Sequence, residues 1–239
     1  MKGYRCVFLG VAMLLVVGAV IYGLKKSGSD GETIAVPERR REIWEEVKKK
    51  AESSGDPKAL WRELKQLEPA ELLVCAEEIC EVHEDGQEKE KNDAGFLITI
   101  TAILSYHADK VGWEETAKAV GSIVEGSDNA SLVYSSLEWI ENIEGYKNIP
   151  EGGMRAIAQG LLQGLDPSRG FRIRRIVLRK IGSDEIWMGL SQGDKQMLLD
   201  KCKSIIVDPK EEELKRTAEK TLKKIDAIEG ELRLMNSRK

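Results

Sequence analysis

Histidine is almost missing from this chain, with two in 239 residues, and cysteine is scarce, with four. Proline is limited to six, and aromatics to five Trp, five Tyr and three Phe. Neither charge sign dominates: 37 basic residues face 41 acidic ones, for a net charge of −4. These shortages exclude whole classes. Four cysteines cannot build a disulfide-dense scaffold, and the absent Gly-X-Y period excludes collagen. A near-balanced charge argues against a basic nucleic-acid coat, so no nucleic-acid partner is expected. Also missing are a P-loop, a dinucleotide fingerprint, an H-E-x-x-H pair and an EF-hand loop, so no cofactor is expected. Alternating Val/Ile/Thr runs between tight turns, the mark of strands, are lacking too. What is present is a third charged and 41% apolar. That supports a folded core rather than wholesale disorder, in one or two domains.

The longest uncharged run, CVFLGVAMLLVVGAVIYGL at residues 6–24, has 19 residues. As a helix it spans about 28 Å, close to the hydrocarbon thickness of a bilayer. Lys2 and Arg5 precede it, and Lys25 and Lys26 follow. It exceeds an ordinary signal-peptide core and has no Ala-x-Ala cleavage site. The expectation is an uncleaved single-pass anchor in residues 1–26, then a linker over 27–36 and a helical domain over 37–239. A secreted domain after signal cleavage is the alternative. Orientation stays open. Lys25, Lys26, Arg39, Arg40 and Arg41 place the C-terminal side in the cytoplasm by the positive-inside rule. A short basic N-terminus resembles a signal anchor, with the opposite outcome. Ala19 and Gly23 form a small-xxx-small pair through which two anchors could pack into a homo-oligomer.

Beyond the linker, apolar residues recur at helical spacing through eleven successive stripes. Leu60, Trp61, Leu64 and Leu67 form the second. Ile100, Ile103, Leu104 and His107 belong to the fourth, which is apolar nearly all round and so expected at the centre. Leu214, Ala218, Leu222, Ile225, Ile228 and Leu232 form the last and most regular. The dipeptides Asp56-Pro57, Asp166-Pro167 and Asp208-Pro209 are read as helix starts, since Asp caps and Pro tolerates the first turn. The fold class expected is therefore all-α.

Aspartates expected at helix starts recur at Asp93, Asp128, Asp166 and Asp208, and each interval holds two stripes. Pairs of helices with a period near 40 residues resemble HEAT-type α-solenoid repeats. The segments Asp166-Pro167 … Ile173-Arg174 … Val177 … Ile181-Gly182 and Asp208-Pro209 … Leu214-Lys215-Arg216-Thr217-Ala218 … Leu222 … Ile225 carry the likeness. It covers residues 93–228 and departs at Asp128, where Leu132-Val133-Tyr134 lacks the Arg. The resemblance implies stacked helix pairs that present an extended surface to a protein partner. An irregular helical bundle is the alternative.

Four features bear on chemistry. Gly189-Leu190-Ser191-Gln192-Gly193 matches G-x-S-x-G, but a nucleophile elbow needs a strand before it and a histidine after it. Helix precedes it, and His83 and His107 both lie upstream. Gln192-Gly193-Asp194 reads instead as a helix stop and an Asp cap. Cys80, His83 and Glu84 could share a helix face as metal ligands, whereas Cys75 points away. Buried small side chains are the simpler reading. His107 is expected in the core, bonded to a carbonyl. Finally, Arg169, Arg172, Arg174, Arg175, Arg179 and Lys180 form a basic strip without an acid. Arg172, Arg175 and Arg179 share a helix face suited to an acidic protein surface or phosphate. Ion pairs with acids between Glu138 and Glu144 are the alternative. Together these features suggest a membrane-anchored scaffold or adaptor without catalytic activity. An all-helical enzyme, metal-dependent through Cys80, His83 and Glu84, is the competing idea.

Overall fold

A computed structural model describes residues 36–56, 58–85, 93–142 and 147–237. They contain no strand and eleven α-helices. These are α1 (Val36–Ser53), α2 (Ala59–Gln66), α3 (Pro69–Asp85), α4 (Asp93–Val111), α5 (Trp113–Gly126) and α6 (Ala130–Asn142). After them come α7 (Glu151–Gly164), α8 (Phe171–Ile181), α9 (Asp184–Gly189), α10 (Gln192–Val207) and α11 (Glu212–Asn236). Each apolar stripe falls on one helix, so the all-α expectation holds. Among the described residues no helix is long and apolar enough to cross a membrane. The run at 6–24, with Ala19 and Gly23, lies outside the described residues, as does most of the 27–36 linker.

The helices pack in two rows. In one, α5 lies on α7 and α7 on α10. In the other, α4 lies on α6, α6 on α8 and α8 on α11. The rows face each other through α4–α5, α5–α6, α7–α8 and α10–α11. Neighbours run parallel where successive contacts fix the direction: α5 beside α7, where Gly153, Gly160 and Gly164 approach Ala117, Gly121 and Val124 in turn, and α8 beside α11, through Arg174–Glu211 and then Leu178–Thr221. Trp139 Nε1 donates to Ser105 Oγ across 34 positions. Lys180 Nζ donates to Glu141 across 39. Thr221 Oγ1 donates to the Leu178 carbonyl across 43. Offsets of 34 to 43 place each helix of the α4–α6–α8–α11 row beside its counterpart one pair earlier.

The α5–α7 contact is the closest in the fold. An added Cβ at Gly121 would stand 2.5 Å from the Ala156 carbonyl oxygen. One at Gly160 would strike the Gly121 backbone, 3.0 Å from its Cα. Only glycine lets these backbones meet, so the helices approach more nearly than the usual 8–10 Å between axes. One residue, Gly112, joins α4 to α5 at φ +93° and ψ 160°, a conformation that side chains disfavour.

Helix starts follow the Asp signals at some positions and depart from them at others. Asp208 accepts from Lys210 N and starts a 3-10 turn, Pro209–Glu211, that leads into α11. Asp166 does not start a helix. It accepts from the backbone N–H and hydroxyl of Ser168 and closes a turn, and α8 begins five residues later. At Asp128 the cap falls to the next residue, since Asn129 Oδ1 accepts from Leu132 N. Nor is α4 covered all round: Ile98 is 59% exposed. Met197 on α10 is likewise 49% exposed.

Candidate interaction surface

The basic strip divides by depth. Three of its cations are spent inside the fold. Arg169 reaches back 41 positions to Asp128 at 3.1 Å and also donates to the Ser127 carbonyl, tying down the α5–α6 turn. Arg174 is buried, and its guanidinium donates to Glu211 at 2.7 Å, joining α8 to the turn before α11. Lys180 is buried between α8 and α6. It bonds Glu138 and Glu141 and lies 4.5 Å over the Tyr134 ring. Burial alone would lower the Lys180 pKa, but the two carboxylates hold it above the ordinary lysine value. Burial pushes the Glu141 carboxyl up, against the downward pull of Lys180. The expected alternative of ion pairs to Glu138 and its neighbours thus describes Lys180.

Arg172, Arg175 and Arg179 are exposed, on one face of α8 and opposite the buried Ile173, Val177 and Ile181. Phe171, 42% exposed, adjoins them. Positions i, i+3 and i+7 align the three guanidiniums along about 10 Å of helix. Each offers a rigid donor fork suited to a carboxylate.

A second concavity of about 380 Å³ opens between α10 and the end of α11. Trp187, Lys195, Glu229, Asp226 and Arg233 line it. Trp187 Nε1 donates to Glu229 at 2.9 Å, and Lys195 lies 5.4 Å over the same ring. Lys195 also pairs with Glu229 at 3.7 Å, so Trp187, Lys195 and Glu229 satisfy one another. Sequence reading missed the cluster, although Trp187 and Glu229 stand 42 apart, the offset seen throughout.

The remaining candidates serve the fold. Ser191 caps α10: it accepts from Asp194 N and donates to the Asp194 carboxylate at 2.7 Å. Asp194 is therefore the box partner, not the cap, and the serine of G-x-S-x-G is engaged. Cys75, Cys80 and Cys202 are buried and form no disulfide. Burial pushes the Cys75 thiol up to about 12, and Cys202 to about 12 as well. Neither is poised as a thiolate. Cys80 has no exposed surface, and the side chains of His83 and Glu84 lie outside the described residues. Among the described residues no three His, Cys, Asp or Glu groups gather as metal ligands. His107 is buried, and burial lowers its pKa. Its Nδ1 stands 2.7 Å from Thr116 Oγ1, which itself donates to the Gly112 carbonyl. With that hydroxyl proton committed, Nδ1 must be the donor. The expected carbonyl bond is replaced by a relay through Thr116.

Comparison of the chain with protein-family models, with curated proteins and with solved structures found no match to any of them.

Proposed function

We propose that this chain is a membrane-anchored scaffold of HEAT-like helix pairs that docks a protein partner on the exposed face of α8. The observation that carries the reading is the offset of 34 to 43 residues between neighbouring helices of the α4–α6–α8–α11 row, repeated between α5 and α7. Repetition of that kind builds an extended surface from local contacts alone. The exposed arginines of α8 lie on such a surface, and two of them, Arg175 and Arg179, make no ion pair among the described residues. The polar serine, thiols and histidine are each occupied by caps or burial, which favours binding over catalysis. The uncharged run at residues 6–24 supplies the anchor in this reading.

The test has two arms. Alkaline extraction of membranes should leave the full chain in the pellet; release into the supernatant would remove the anchor. Cross-linking in native membranes, read by mass spectrometry, should map a partner onto α8. Arg172→Glu/Arg175→Glu/Arg179→Glu should abolish those cross-links. An unchanged set would remove α8 from the proposal.

A further inference from the structure

We infer that the basic face of α8 is half of a two-helix site for an acidic peptide segment, completed by Lys220 and Lys224 of α11. The inference rests on the scaffold reading and names the chemistry of its partner. Helices α8 and α11 run parallel, tied by Arg174–Glu211 at one end and by Thr221–Leu178 further along. At the far end an added Cβ at Gly182 would meet Lys224 Cδ at 3.5 Å. Lys224 therefore lies beside the C-terminal end of α8. Lys220 is one helical turn earlier, so it shares that face. Both lysines are exposed. Arg175, Arg179, Lys220 and Lys224 make no ion pair among the described residues.

The surplus of charge is local. In a chain of net charge −4, α8 carries five cations and no acid. Arg174 is neutralised by Glu211 and Lys180 by Glu138 and Glu141, while Arg175 and Arg179 keep their charge exposed. Along α11, residues 215–224 carry five basic residues against Glu219 alone. Adjacent axes stand about 8–10 Å apart, and the α8 row is about 10 Å long. That patch matches two turns of an acidic helix whose carboxylates recur at i, i+3 or i+4, and i+7.

Its borders argue against a bilayer. Glu138 and Glu141 on α6 together outnumber the one ammonium of Lys180 between them. On the same face of α11, Glu213 and Glu231 stand seven residues before Lys220 and seven after Lys224, and both are exposed. A broad anionic plane would press against these acids. A narrow segment fits between them.

The test uses the full chain in neutral detergent micelles. The probe is a fluorescein-labelled helical peptide with Glu at i, i+3, i+4 and i+7, compared with its Gln counterpart by anisotropy. The Glu peptide should bind, and binding should weaken as salt rises. Lys220→Glu/Lys224→Glu should weaken it roughly tenfold or more. Lys220→Arg/Lys224→Arg should retain it. The exposed Lys203→Glu on α10 should stay within about twofold of wild type, which controls for net charge. Unchanged affinity in the α11 reversal overturns the site, as does equal binding of the Gln peptide. Failure of the Glu peptide to bind, with charge-dependent capture of the chain by phosphatidylserine vesicles, would assign the face to headgroups instead. If the α11 reversal has no effect while the α8 reversal still abolishes membrane cross-links, this inference fails and the scaffold reading stands.

Discussion

Gly121→Ala is the substitution on which the close α5–α7 contact can be judged. Helix propensity alone favours alanine by about 1 kcal/mol in a helix interior. The structure opposes it. The new Cβ would stand 2.5 Å from the Ala156 carbonyl oxygen and 2.8 Å from its carbon. Both atoms are backbone, so no side chain can rotate away. Restoring ordinary contact requires the two helices to part by roughly 1 Å. That would also loosen the neighbouring close approaches of Gly153 to Ala117 and of Gly164 to Val124. Overpacking of this kind costs about 2–3 kcal/mol. Set against the propensity gain, the net is a loss of about 1–2 kcal/mol, or roughly 2–8 °C in Tm for a domain of this size. Gly230→Ala in α11 is the matched control, because its Cβ would meet nothing within 4 Å. It should stabilise by about 0.5–1 kcal/mol. Thermal unfolding of the purified chain, followed by circular dichroism, reads both. If Gly121→Ala raises Tm as Gly230→Ala does, the α5 and α7 backbones do not meet as closely as the 2.5 Å Cβ approach requires.

Three further outcomes follow from buried groups. Lys180→Met leaves Glu138 and Glu141 without their cation and should destabilise by about 3–5 kcal/mol; Glu138→Gln/Glu141→Gln in the same chain should recover part of that in urea unfolding. Because burial depresses the folded pKa of His107, the unfolded chain takes up its proton first, so stability should fall as pH drops below about 6.5. His107→Gln should flatten that part of the stability profile, and an unaltered profile would refute the assignment. Cys75 and Cys202, held protonated by burial, should resist iodoacetamide in the native chain and react only on unfolding; rapid native labelling at either would contradict their placement.

Sequence alone determined the helices. A period of 3.6 residues is a local property, and each stripe, from Ile43 and Trp44 to Leu232, marks a face that must be buried wherever the helix docks. Caps were legible where the side chain bonds its own turn, as at Asp208, and failed where a neighbour took the role, as at Asn129 beside Asp128. The exposed row of Arg172, Arg175 and Arg179 was equally legible, because it lies opposite Ile173 and Val177. Tertiary structure alone decided what those helices meet. Arg174 and Arg175 are adjacent and chemically identical, yet one is buried on Glu211 and the other is exposed, since only Arg174 points towards α11. Gly121 and Gly160 look like weak helix residues until the α5 and α7 backbones come together. Lys220 joins Arg175 in one patch only because α11 runs parallel to α8. Such pairings depend on atoms about 40 residues apart, and no local period carries that information.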